Sequence, residues 1–230
     1  MLIYPAIDLM GGDAVRLHRG EAESREKVGD PLELVERFAA APLIHVVDLD
    51  GAFAGQVRQT QLIAQLAQRH PIQAGGGVRS LDDVSRLFDA GVKRAVLGTA
   101  AVQNPELLDA ALQRYGAEAV VVAVDVKGGK VAVSGWVSTS DQSPGPFAAS
   151  LAARGIRWVL CTAVHRDGTL EGPDLNVLDS LRAADPRLNV IASGGIGSLD
   201  DVRACRQMAA VIIGKALYAG RFTLDEALRC

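Results

Sequence analysis

Four short motifs in this 230-residue chain each occur twice, at almost one interval. Asp8 and Asp125, each closing an apolar run, lie 117 positions apart, and so do Asp50-Gly51 and Asp167-Gly168. Ala74-Gly75-Gly76-Gly77-Val78-Arg79-Ser80 matches Ala192-Ser193-Gly194-Gly195-Ile196-Gly197-Ser198 at an offset of 118, and both continue Leu-Asp-Asp-Val. Val96-Leu97-Gly98-Thr99-Ala100 matches Ile212-Ile213-Gly214-Lys215-Ala216 at 116. The interval is too long for a solenoid repeat. It predicts a duplicated half, roughly 1–117 and 118–230, within one domain.

Each half alternates short apolar runs with stretches of helical period. The runs are 3–9, 43–49, 71–76, 94–99, 119–126, 158–164, 189–195 and 209–216. They are continuous rather than alternating, as in strands covered on both faces. Helices are predicted over 32–40, 58–69, 81–90, 105–114, 146–154, 175–184, 199–207 and 223–229. In 81–90, Leu81, Val84, Leu87 and Phe88 share one face, with Ser80 as N-cap and Gly91 as stop. Eight βα units form a closed barrel or a doubly wound sheet. Two equal halves close naturally into eight strands, and no GxGxxG follows the first strand, so the fold class predicted is a (β/α)₈ barrel. Such a barrel typically needs ~250 residues, which this length nearly supplies.

Composition narrows the function. A net charge of −3 argues against a general nucleic-acid surface. Three cysteines with no Cys-x-x-Cys, and four scattered histidines, argue against a disulfide framework or a zinc site. The N-terminal apolar stretch is interrupted by Pro5 and Asp8, so neither a signal peptide nor a membrane span is expected. The chain is placed in the cytoplasm, with no obligate protein partner.

A barrel carries its active site at the C-terminal ends of its strands. Asp8 and Asp125 end strands one and five, across the mouth from each other, where two carboxylates can divide acid and base work. Gly76 and Gly77 follow strand three, and Gly194 and Gly195 follow strand seven. Such turns let backbone approach a phosphate, with helix N-termini supplying donors. Gly98-Thr99 and Gly214-Lys215 follow strands four and eight. The recurrence predicts a ligand with two phosphates, one at each side of the mouth. Arg16, His18, Arg19 and Gly20 form a basic loop after strand one, able to close on an anion or simply to be solvated. Trp136 can stack on a flat heterocycle or pack under its own loop. Thr162, in strand six, can hydrogen-bond a carboxylate or substrate. Asp167-Gly168-Thr169 reads as a loop-shaping turn, with Gly168 beside the ligand. Cys161 reads as a buried apolar residue. No metal constellation is present, and magnesium on Asp48 and Asp50 is disfavoured.

The segments PAIDLMGGDAVRLHRG, HVVDLDGAFAG, QAGGGVRS, VLGTAAV, AVDVKGGKVAVSGW, LCTAVHRDGTLEGPD, ASGGIGSLDDV and IIGKAL, spread over residues 5–217, carry a specific resemblance. The chain resembles the phosphoribosylformimino-5-aminoimidazole carboxamide ribotide isomerases, the Amadori-rearrangement enzymes of histidine biosynthesis. The resemblance implies a duplicated half-barrel, no metal or organic cofactor, and an aminoaldose substrate with a phosphate at each end. It implies Asp8 as base, Asp125 as acid, Thr162 as assistant to the second carboxylate and Trp136 as a substrate contact. The chain departs from the family pattern at Ala163, where relatives usually carry an acidic residue. It departs again at His18-Arg19, where the added arginine bears on substrate range.

Three rivals stand beside this reading. The cyclase of imidazole glycerol phosphate synthesis typically has Cys before Leu-Asp in strand one, where this chain has Pro5-Ala6-Ile7-Asp8. A bifunctional isomerase would also accept phosphoribosylanthranilate. A non-catalytic phosphate-binding barrel would tolerate loss of Asp8 or Asp125.

Overall fold

The computed structural model describes residues 1–18, 21–133 and 135–230. Eight parallel strands form the barrel: β1 (Leu2–Met10), β2 (Ile44–Asp48), β3 (Ile72–Gly75), β4 (Arg94–Leu97), β5 (Val120–Ala123), β6 (Trp158–Thr162), β7 (Asn189–Ser193) and β8 (Ala210–Ile213). Each pairs with the next in sequence, and β8 closes onto β1 through Leu2↔Ala210 to Pro5↔Ile213.

The continuous apolar runs have a direct cause. Alternate residues of each strand enter two separate cores. On β1, Ile3, Ile7 and Leu9 face the outer helices, while Tyr4 and Ala6 fill the barrel. On β5, Val120 and Val122 face out, while Val121 and Ala123 face in. Both faces are covered, so both must be apolar.

Eight helices form the outer layer: α1 (Pro31–Arg37), α2 (Thr60–Arg69), α3 (Leu81–Asp89), α4 (Pro105–Tyr115), α5 (Pro144–Ala153), α6 (Leu175–Ala184), α7 (Leu199–Ala204) and α8 (Leu224–Leu228). α3 buries Val84 and Leu87, and Ser80 and Asp83 close its start with a capping box. Ser198 and Asp201 do the same for α7.

Several predicted strands end early. Gly98 (φ −100, ψ −105) and Gly214 (φ −107, ψ −96) leave extended geometry and cap the short helices Thr99–Gln103 and Lys215–Tyr218. Two hairpins are absent from the sequence reading. Strands Asp13–His18 and Glu21–Gly29 form a hairpin that continues antiparallel from β1. A smaller hairpin, Val126–Lys127 with Lys130–Val133, turns at Gly128-Gly129, both at positive φ. A two-glycine turn between such runs is a known hairpin signal.

Candidate active site

The last inward position of each strand reaches the C-terminal mouth. On β1 the inward series runs Tyr4, Ala6, Asp8; continuing β5 it runs Val121, Ala123, Asp125; on β6 it runs Trp158, Leu160, Thr162. A single pocket collects these ends together with Arg16, Trp136, the glycines of the four turns, Thr99, Gly168 and Lys215. Arg19 and Gly20, named with them, lie outside the described residues.

Arg16 is not on a loop, as the sequence reading placed it. It belongs to the strand Asp13–His18, next to Val15, which pairs with Asp8. Its Nη1 donates to Asp8 Oδ2 at 2.6 Å, with both side chains mostly buried. The guanidinium lies 5.9 Å from the Tyr218 ring centre. Gly214 makes room for it, since a Cβ there would stand 2.6 Å from Arg16 Nη2. Burial pushes the Asp8 carboxyl up, and the Arg16 cation pulls against that.

Asp125 has different company. Trp136 Nε1 donates to its Oδ2 at 2.8 Å, and Thr162 hydrogen-bonds it through side chain and backbone. Burial pushes this carboxyl up as well, and the named hydrogen bonds opposing it come from neutral donors. Trp136 therefore reaches into the pocket rather than only packing under its own loop. It sits at φ 70, and Lys127 Nζ donates to its carbonyl at 2.8 Å.

Asp167 is more than a loop-shaping residue. It lines the pocket, and burial pushes its carboxyl up to about 6, with Arg16 opposing and Asp8 and Asp125 adding to the rise. Its repeat counterpart Asp50 behaves otherwise: it accepts from Gly11 N at 2.7 Å and from the Gln59 side chain, tying two loops together. Two further residues that sequence reasoning passed over line the pocket, His45 and Arg79. Burial, then the nearby Arg16, hold the buried His45 down to about 4, so its ring is neutral. Arg79 was detectable as the position where the first repeat has arginine and the second Gly197.

The glycine turns have a steric reason of their own. A Cβ on Gly76 would fall 2.1 Å from the Asp48 carbonyl, and one on Gly195 would fall 2.1 Å from the Gly172 carbonyl. Gly77 and Gly194 also sit at positive φ. These turns are packed against neighbouring backbone, whatever they bind. The amides at the starts of α3 and α7 are not the free donors expected from the sequence. Arg79 N and Ser80 N donate to Asp83, and Gly197 N and Ser198 N donate to Asp201. The short helices behind Gly98 and Gly214 have no side-chain cap. Thr99 and Lys215 open them, and Lys215 Nζ donates to the Gly168 carbonyl at 2.7 Å, bridging two strand-end loops.

Asp48 is fully buried and accepts three backbone N–H groups, from Gly51 (2.7 Å), Arg58 (2.6 Å) and Gln59 (2.9 Å). It shapes the loop after β2. Among the described residues no group of three or more His, Cys, Asp or Glu is placed to hold a metal.

A family model described as "Histidine biosynthesis protein" matches residues 2–223. The chain is 45% identical to a protein of Desulforudis audaxviator, over 99% of this chain and 90% of that protein. It is 44% identical to one of Moorella thermoacetica (99% and 97% covered) and 43% identical to one of Citrobacter koseri (100% and 98%). All three are named as 1-(5-phosphoribosyl)-5-((5-phosphoribosylamino)methylideneamino)imidazole-4-carboxamide isomerase.

Proposed function

The chain belongs to the histidine biosynthesis protein family, as one of its aldose–ketose isomerases, and on that premise we propose how its pocket divides the work. Asp125 is the acid and Asp8 the base. Asp125 protonates the ribose ring oxygen, and the sugar opens to a protonated Schiff base. That cation acidifies the C2′–H, and Asp8 removes the proton. The resulting enolamine tautomerises to the ketose.

One observation carries the assignment. The two strand-end aspartates line one pocket with unlike partners, Asp8 against a cation and Asp125 against the neutral donors of Trp136 and Thr162. A cation opposes protonation more strongly than neutral hydrogen bonds do, so Asp8 is biased toward carboxylate and Asp125 toward carboxylic acid.

The substrate is a small molecule with a phosphate at each end. One phosphate is held near Gly76, Gly77, Gly98 and Thr99, within reach of Arg79. The other is held near Gly194, Gly195, Gly214 and Lys215, with Gly168 beside them. Anchoring both ends fixes the sugar between the carboxylates. The placement of all these residues around one pocket supports this reading. Thr162 orients Asp125, and the Trp136 ring meets the heterocycle once it leaves Asp125.

We read the whole chain as one domain of two duplicated halves. The matched torsions of Gly98 and Gly214 and the paired capping boxes of Ser80 and Ser198 support this. We propose a cytoplasmic location from the biosynthetic role; no helix among the described residues is long and apolar enough to cross a membrane.

The test is a spectrophotometric isomerase assay on purified protein with the histidine-pathway aldose and EDTA. Conversion to the ketose is the expected result. Folded protein that leaves the aldose unchanged would overturn the proposal.

A further inference from the structure

Below the catalytic level, the two halves of the barrel differ at one matched place. Two residues before Asp8, Ala6 pairs with His45 of β2, and His45 pairs with Gln73 of β3. Two residues before Asp125, Ala123 pairs with Leu160 of β6, and Leu160 pairs with Ile191 of β7. The same rung is therefore polar on the Asp8 side and apolar on the Asp125 side. Leu160 and Ile191 are buried in the barrel interior, so the architecture is satisfied by an apolar pair there.

The polar pair carries a cost. Gln73 is completely buried, and its Oε1 has no partner. A buried unpaired acceptor lowers stability and calls for an explanation other than packing. Gln73 does not line the pocket, whereas His45 does. Gln73 Nε2 donates to His45 Nδ1 at 2.9 Å. With Nδ1 accepting, the ring proton of the neutral imidazole is on Nε2, the nitrogen left for the pocket.

We propose that Gln73 is a positioning residue that acts through His45, holding its ring in one tautomer so that Nε2–H hydrogen-bonds the substrate's sugar on the Asp8 side of the pocket. This rests on the isomerase reading above. The sugar carbon that gives up its proton must sit beside Asp8, and a fixed neutral donor at the floor there orients the adjacent hydroxyl without adding a second cation that would compete with Arg16 for Asp8. An apolar rung suffices under Asp125, whose partners Trp136 and Thr162 already stand at the mouth.

The test uses Gln73→Met, His45→Leu, the double variant, and H45L/Q73I, which copies the apolar rung of the other half. Gln73→Met is expected to lower kcat/KM by roughly tenfold while its melting temperature stays level or rises. On the His45→Leu background the same change should cost nothing further, because Gln73 acts only through His45. H45L/Q73I should fold at least as stably as the parent and be slow. Nitrogen-15 NMR of the parent should show His45 as a single Nε2–H tautomer whose resonances move when the ketose product is added. In Gln73→Met the tautomers should mix.

Melting temperature and activity falling together, including an unfolded Gln73→Met protein, would make the pair structural and overturn the proposal. Additive losses in the double variant, or a His45 signal indifferent to product, would overturn it too. A parent that binds the ketose but does not isomerise would sink the isomerase reading alone, since the tautomer and its response to product are read without turnover.

Discussion

Trp136 Nε1 donates a 2.8 Å hydrogen bond to Asp125 Oδ2, so the loop after β5 rests its indole on the acid of the pair. The bond favours the ionised carboxyl, the form that cannot donate a proton. Moving the indole onto the substrate would remove that bond and leave only Thr162 opposing the burial that favours the protonated Asp125.

Trp136→Phe keeps a ring but loses the donor. Asp125 should then titrate higher, since the Trp136 bond is among the causes holding it down. An acid must be protonated to act, so the basic limb of the kcat/KM profile should move to higher pH. A pH–rate series checks this; an unmoved limb would remove Asp125 as the group behind it.

Asp8→Asn and Asp125→Asn should each lower kcat by on the order of 10²-fold or more. Their stability effects should differ. Asp8→Asn takes the carboxylate from a mostly buried Arg16, whereas Asp125→Asn leaves only neutral donors behind. Urea unfolding should therefore show the larger loss for Asp8→Asn.

Asp167 gives a pH-dependent stability. Its folded value is about 6 against an ordinary 3.8, so between about pH 4 and 6 the folded protein holds a proton that the unfolded chain has released. Its contribution to stability falls as pH rises through that window and stays low above it. Asp167→Asn should stabilise the protein at about pH 7.5 by on the order of 1–3 kcal/mol, allowing for screening through the open mouth, and should do little near pH 4. Denaturant midpoints at the two pH values test this. Equal effects at both would show that the carboxyl is not raised.

Asp48→Asn swaps one acceptor oxygen for an amide nitrogen facing Arg58 N and Gln59 N. The cost should be about 2–4 kcal/mol of unfolding free energy. Because Gly76 packs on the Asp48 carbonyl, KM should rise more than kcat falls. Steady-state kinetics beside urea unfolding separate the two effects.

Much of this protein is determined by local pattern. Strands covered on both faces must be continuously apolar, so eight runs in a duplicated pair of halves specify a closed barrel, and the barrel specifies which strand ends meet. Asp8 and Asp125 are legible as candidates because the strand-end rule and the internal repeat are properties of the chain itself, whereas Thr162 stands out only through the family resemblance. Tertiary structure decided the partners. Arg16 faces Asp8 because a hairpin folds back along β1 (Asp8↔Val15), and no periodicity announces that contact. Asp50 and Asp167 are indistinguishable as Asp-Gly pairs, yet one ties loops through Gly11 while the other lines the pocket and feels the charges of Arg16 and two carboxylates. Glycines that read as phosphate turns also make room for the Asp48 and Gly172 carbonyls. Burial and distance set charge and hydrogen bonding at these positions, and both arise only when residues far apart in the chain are brought together.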